Sequence, residues 1–197
     1  MNSSKIIARP HAMTFLTTLL TSLVAVIVVF PGAASAAPGG WEHVEDFYSE
    51  VTEDTCDVSD LTVLLESTFV GRVRFTPRGP DRLPYYQEHS RTTNVYTNLA
   101  TGESMTEVEL RNENMLWRRD NGDGTLTSVH QNVHNIKMYD EDGNLIGHRT
   151  GRIHIQLVFE HAGTPTDPDD DEFVSIRIVK SASHGDDLCT ALVPAIG

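Results

Sequence analysis

The stretch LIGHRTGRIHIQLVFE (145–160) decides the fold class. Leu145, Ile153, Ile155, Leu157 and Phe159 share one parity, while His148, Arg152, His154, Gln156 and Glu160 take the other. A period of two marks a strand with one buried face, not a helix. Gly147 and Gly151 sit on the apolar parity, where a missing side chain lets a strand bend at a barrel corner.

The same alternation recurs on both sides of this stretch. DNGDG (120–124) and DEDGN (140–144) are hairpin turns by composition, because Gly and Asn accept positive φ cheaply. They bound a strand over 125–139. Further back, Leu61, Val63, Leu65, Phe69, Val73 and Phe75 alternate with polar residues. A Gly- and Pro-rich loop at 77–84, a more polar strand over 83–98 and a turn at 98–102 follow. In the strand over 104–119, Val108, Leu110 and Leu116 share one parity and Met115 and Trp117 the other, which indicates a bulge or two partly covered faces. Beyond 160 come an acidic loop (162–172), a strand (173–182) and a turn or two of helix (184–192). Long alternating segments joined by short connections predict an all-β fold. The expected architecture is an antiparallel up-and-down meander closing into a single barrel, with a sandwich as runner-up and short helical termini.

The chain begins with the features of an export signal. Lys5 and Arg9 precede an apolar run over 15–30, Pro31-Gly32 breaks it, and Ala34-Ser35-Ala36 supplies the small residues a signal peptidase requires. The run approaches the lower length of a membrane span, but no basic stop-transfer cluster follows it. Residues 1–36 are read as a cleaved signal peptide, 37–55 as a leader and 56–197 as a single β domain. In the leader, Ala-Pro-Gly-Gly is followed by Trp41, Val44, Tyr48 and Val51 at near-helical spacing, so it is expected to be flexible or partly helical.

Export fixes the redox setting of the two cysteines. Cys56 and Cys189, one near each end of the mature chain, are expected to form a disulfide. Asp57, Asp186 and Asp187 would disfavour a reactive thiolate at either position. Cleavage also removes two positive charges, taking the formal net charge from −13 to −15. Such acidity argues against nucleic acid and anionic lipid as partners.

Few motifs carry chemistry. HQNVH (130–134) has the HxxxH spacing of a helical metal site, but on a strand its ends lie about 13 Å apart. The even positions of that strand, Leu126, Ser128, His130, Asn132, His134, Ile136 and Met138, are polar in the middle. Facing inward, His130, Asn132 and His134 would line a ligand cavity, with Arg149 as a cation near its mouth. Alternatively they face solvent, with Val129 and Val133 in the core. Asp167, Asp169, Asp170 and Asp171 make a weak calcium candidate, against the simpler reading of a solvated acidic loop. No GxSxG, P-loop or GxGxxG is present, and no catalytic residue or cofactor is expected.

The segments TNLATGES (97–104), DNGDGTLT (120–127), YDEDGNLI (139–146), GTPTDPDDDEF (163–173) and DDLCTALVPAIG (186–197) together resemble a family of uncharacterised small secreted β-rich bacterial proteins. The resemblance implies export and one β domain, and it transfers no activity, ligand or catalytic residue. The function expected is a secreted non-enzymatic binding domain, for a small molecule in a barrel cavity or an extracellular macromolecule. The alternative is a small-barrel cyclase or isomerase acting on an apolar substrate.

Overall fold

The computed structural model describes residues 40–197, so the signal peptide and its cleavage point lie outside the described residues. The fold is all-β: one antiparallel sheet of seven strands whose spatial order is their chain order. The strands are β1 (Glu42–Thr52), β2 (Val63–Arg78), β3 (Leu83–Asn98), β4 (Ser104–Asp120), β5 (Thr125–Tyr139), β6 (Leu145–Glu160) and β7 (Glu172–Gly185). Among the described residues there is one α-helix, α1 (Leu188–Ile196), after β7. Turns fall where Gly accepts positive φ, at Gly122 and Gly124 before β5 and at Gly143 before β6.

The expected barrel is corrected to an open sheet. β1 pairs only with β2 and β7 only with β6, so a seam separates the two edge strands. The sheet nevertheless curls. Ser67, Glu88, Glu113, Ser128 and His130 are buried on one face, although among the described residues α1 is the only helix longer than a single turn to cover them. A flat layer would leave that face in water; coiling the sheet over itself encloses it.

The expectation of a flexible or partly helical leader is also corrected, because its core is strand β1. Trp41, Val44, Tyr48 and Val51 mimic a helical period, but the pleat divides them between faces. Trp41 lies on the outer face under the Arg72 and Arg74 guanidinium groups, 5.0 and 4.5 Å from its ring centre, and 5.0 Å from the His89 ring. Val44 is buried on the inner face. Among the described residues α-helix forms at the far terminus, where β7 continues to Gly185 before α1 begins, and single 3-10 turns lie at Thr55–Asp57 and Pro168–Asp170.

α1 plugs one end of the curl. Ala191, Leu192 and Ile196 pack with Leu61, Val63, Tyr96, Met105, Ile136 and Met138 in the main apolar cluster. Asp187 caps the helix by accepting from Cys189 N at 2.8 Å and Thr190 N at 3.2 Å. Asn98 Nδ2 donates to Ile196 O at 2.7 Å from the other end. Gly147 permits the close approach: a Cβ there would lie 3.2 Å from Met138 Sδ and 3.3 Å from Ala191 Cβ. The disulfide is formed. Cys56 and Cys189 have Cα atoms 5.5 Å apart, tying α1 to the segment before β2.

Candidate functional site

A bulge in β4 creates the site. The β4–β5 register slips between Met115 and Trp117, the first of the two readings that the change of parity there allows. Because side chains alternate, one extra residue turns every residue beyond it to the opposite face. On the turn side of the bulge, Arg118 faces inward opposite Ser128. On the far side, Glu107, Glu109, Arg111, Glu113 and Met115 are inward. Without the slip, Val108, Leu110, Asn112 and Asn114 would take their places.

The even positions of β5 therefore face inward beside these charged residues. Ser128, His130 and His134 are buried, as are Leu126, Ile136 and Met138. His130 Nδ1 lies 2.7 Å from Glu113 Oε1, and its Nε2 lies 3.0 Å from Ser128 Oγ. Burial works to raise the Glu113 carboxyl, but the hydrogen bond and charge of His130, together with Arg111, outweigh it and hold the group below its usual range. Glu113 is then the acceptor from Nδ1–H, and in the neutral imidazole Nε2 accepts from the serine hydroxyl. Ser, His and Glu stand in line, the order of a nucleophile, a base and the group that orients it. Ser128 itself is 0% exposed.

Next to this line lies a second satisfied group. Arg111 Nε and a terminal nitrogen reach Glu88 Oε1 at 2.8 and 2.7 Å, Ser90 Oγ donates to the same oxygen at 2.5 Å, and Tyr86 donates to Oε2. Burial, then Glu88, push the Tyr86 phenol well above its ordinary range. Burial alone would lower the Arg111 guanidinium, but Glu88 and Glu113 raise it.

Unpaired buried atoms lie on both sides of these groups: Arg118 Nε, His161 Nε2, Asp170 Oδ1 and Asp171 Oδ1 on one, and a second set toward α1. Asn132, His134 and Arg149 come from β5 and β6, and Asn132 Oδ1, His134 Nε2 and Arg149 Nε are buried without a hydrogen-bond partner. His134 faces Gly151 in the register, and Arg149 is opposite Ile136, one inward position along. Gly151 leaves room for the ring, since a Cβ there would sit 2.9 Å from His134 Nε2. Desolvation, followed by the charges of Arg149 and Arg111, depresses the His134 imidazole and keeps it neutral. Desolvation raises Glu107 and Glu109, with Arg149 partly offsetting it in both. Among the described residues Arg149 makes no ion pair.

All four candidates, His130, Asn132, His134 and Arg149, thus lie on the inner face, but in two settings: His130 in the satisfied Ser–His–Glu line, the other three in the unpaired group. The two histidines do not converge on one point. In the loop of the calcium candidate, Asp171 pairs with Arg118 at 2.5 Å and Asp167 accepts from Asp169 N at 3.1 Å, while Asp170 Oδ1 and Asp171 Oδ1 are buried without a hydrogen-bond partner. No group of three or more His, Cys, Asp or Glu side chains among the described residues could hold a metal ion.

Sequence reading missed Glu88, Arg111, Glu113 and Tyr86. Their signal was present in the bulge: once Met115 and Trp117 change parity, the acids of β4 must share the face of the β5 histidines. Comparison with protein-family models, curated proteins and solved structures finds no match for this chain.

Proposed function

We propose that the mature chain is a secreted binding domain that holds a small hydroxy-carboxylate or related polar molecule against the inner face of β5 and β6. One observation carries this reading: of the seven buried side-chain atoms without a partner among the described residues, Asn132 Oδ1, His134 Nε2 and Arg149 Nε lie on the same face of adjoining strands. Buried polar atoms are almost always hydrogen-bonded, and an unmade bond costs about 1–3 kcal/mol. A carboxylate would accept from the Arg149 N–H, and a hydroxyl would donate to Asn132 Oδ1. Neutral His134 can accept or donate. In this reading the curled sheet works as a barrel-like container, with the β1–β7 seam as its entrance and the signal peptide as its route out of the cytoplasm.

Native mass spectrometry of the mature protein, paired with a thermal-shift series of small hydroxy-carboxylates, tests the proposal. A bound mass or a ligand-dependent rise in melting temperature that Arg149→Met abolishes is expected. Wild type and variant that are equally free of ligand and equally unresponsive would overturn it.

The Ser128–His130–Glu113 line favours a second reading, a small-barrel cyclase or isomerase that moves a proton on an apolar substrate. His130 would take and return the proton while Glu113 steadies the imidazolium. In D2O the bound molecule should then exchange a carbon-bound hydrogen with wild type and not with His130→Gln. Absence of exchange with wild type rejects this reading.

A further inference from the structure

The acidity of the chain is not shared by its outer face. Two depressions there, of about 630 and 290 Å³, share Leu110 and Asn135 as lining residues and so form one track. Its cations come from four strands: Arg91 (β3), Lys137 (β5), Arg152 (β6) and Lys180 (β7). No Asp or Glu lines either depression, although the chain carries 28 acids against 15 Lys and Arg. The register explains the segregation. The β4 bulge sends Glu107, Glu109 and Glu113 inward, leaving Leu110 and Asn112 outside. One cross-strand row, Arg91–Leu110–Asn135–Thr150–His184, runs from β3 to β7. Its four interstrand steps span about 19 Å.

We infer that this track binds an extended acidic polysaccharide bearing carboxylates on its sugars. Three features select that partner. Asn112, Asn135 and Thr150 lie among the cations, offering neutral hydrogen bonds suited to sugar hydroxyls rather than to a chain of phosphates alone. Tyr139 lines the track beside Lys137 and supplies a ring face for a pyranose. A net charge of −13 repels a polyanion as dense as duplex DNA, which carries a charge about every 1.7 Å, far more than one with about a single charge per sugar. Its four cations project from the face opposite the interior group, although His134 and Gly151 of that group also line the larger depression.

Affinity electrophoresis of the mature protein in gels containing polygalacturonate tests the assignment, with neutral galactan and single-stranded DNA as parallel probes. Retardation by polygalacturonate, at least ten-fold weaker in Arg152→Glu/Lys180→Glu and reduced by added salt, is expected. Arg152 and Lys180 are exposed, so the double variant should keep the wild-type melting temperature. Arg91→Glu/Lys137→Glu provides a second pair on other strands. No retardation, retardation unchanged by both pairs, or equal retardation by DNA would overturn the inference.

Discussion

Glu107 shows how one buried carboxyl sets a pH dependence. Burial raises it despite the 2.9 Å hydrogen bond from Asn94 Nδ2. The folded protein then holds this proton more tightly than the unfolded chain, so between the unfolded and the raised folded values stability falls as pH rises. Glu107→Gln keeps an acceptor for Asn94 and removes the charge. Urea unfolding should show the variant more stable than wild type at pH 7, with the gain absent below the ordinary carboxylate range; equal stability at both pH values rejects this. Arg118 and Asp171 illustrate the opposite case, a buried pair with side chains 2% and 7% exposed. Arg118→Leu leaves Asp171 uncompensated and should cost about 3–5 kcal/mol in urea unfolding, while Arg118→Leu/Asp171→Leu should recover most of it. Residues of this kind were only partly legible in sequence. The polar row of β5 could be read from alternation, but Val129 and Val133 on the other parity left its direction open. Burial of Leu126, Ile136 and Met138 decides it, because apolar ends force the polar middle to the same side.

At the level of elements, the turns and the long strands were legible because Gly, Asn and Asp punctuate a clear period of two. The edge strand β1 was not. An edge has one neighbour, so acids at its inward positions Glu42, Asp46 and Glu50 stay close to water, and the alternation that identifies buried strands is diluted. Closure of the sheet was equally illegible, since it depends on how far successive strands coil rather than on any residue pattern. α1 earns its place by packing. Leu192 is 0% exposed, and Leu192→Ala should cost about 2–5 kcal/mol by opening a cavity against Met105 and Met138. A melting temperature within a degree of wild type would show that the plug contributes little. Deleting Leu116 would remove the bulge and let Met115 and Trp117 pair as neighbours opposite His130 and Val129, with Glu113 and Arg118 both still on the inner face. Proteolysis should then find a variant about as resistant as wild type, whereas a far more easily cut protein would mean that the bulge itself is needed to shape the sheet.

For the whole molecule, net charge proved a poor guide to surface. The sequence total is −13, yet a bulge and the pleat gather cations on one face and hide acids on the other. The disulfide has a mechanical consequence. Cys56 and Cys189 are 133 positions apart in sequence but 5.5 Å apart in space, and β2–β7 lie between them in the chain. A pull applied at the two chain ends therefore passes through the sulfur–sulfur bond and bypasses six strands. Only β1 and the last turns of α1 lie in the path of tension. In single-molecule stretching, the oxidised protein should lengthen by only the few tens of residues outside the bond. Adding reductant should release roughly 450 Å more, the reach of the 133-position loop. A full-length extension without reductant would show that the bond does not shunt the force. The sheet with an unsealed seam is thus shielded from being drawn open along its own chain, and β1 becomes its fuse.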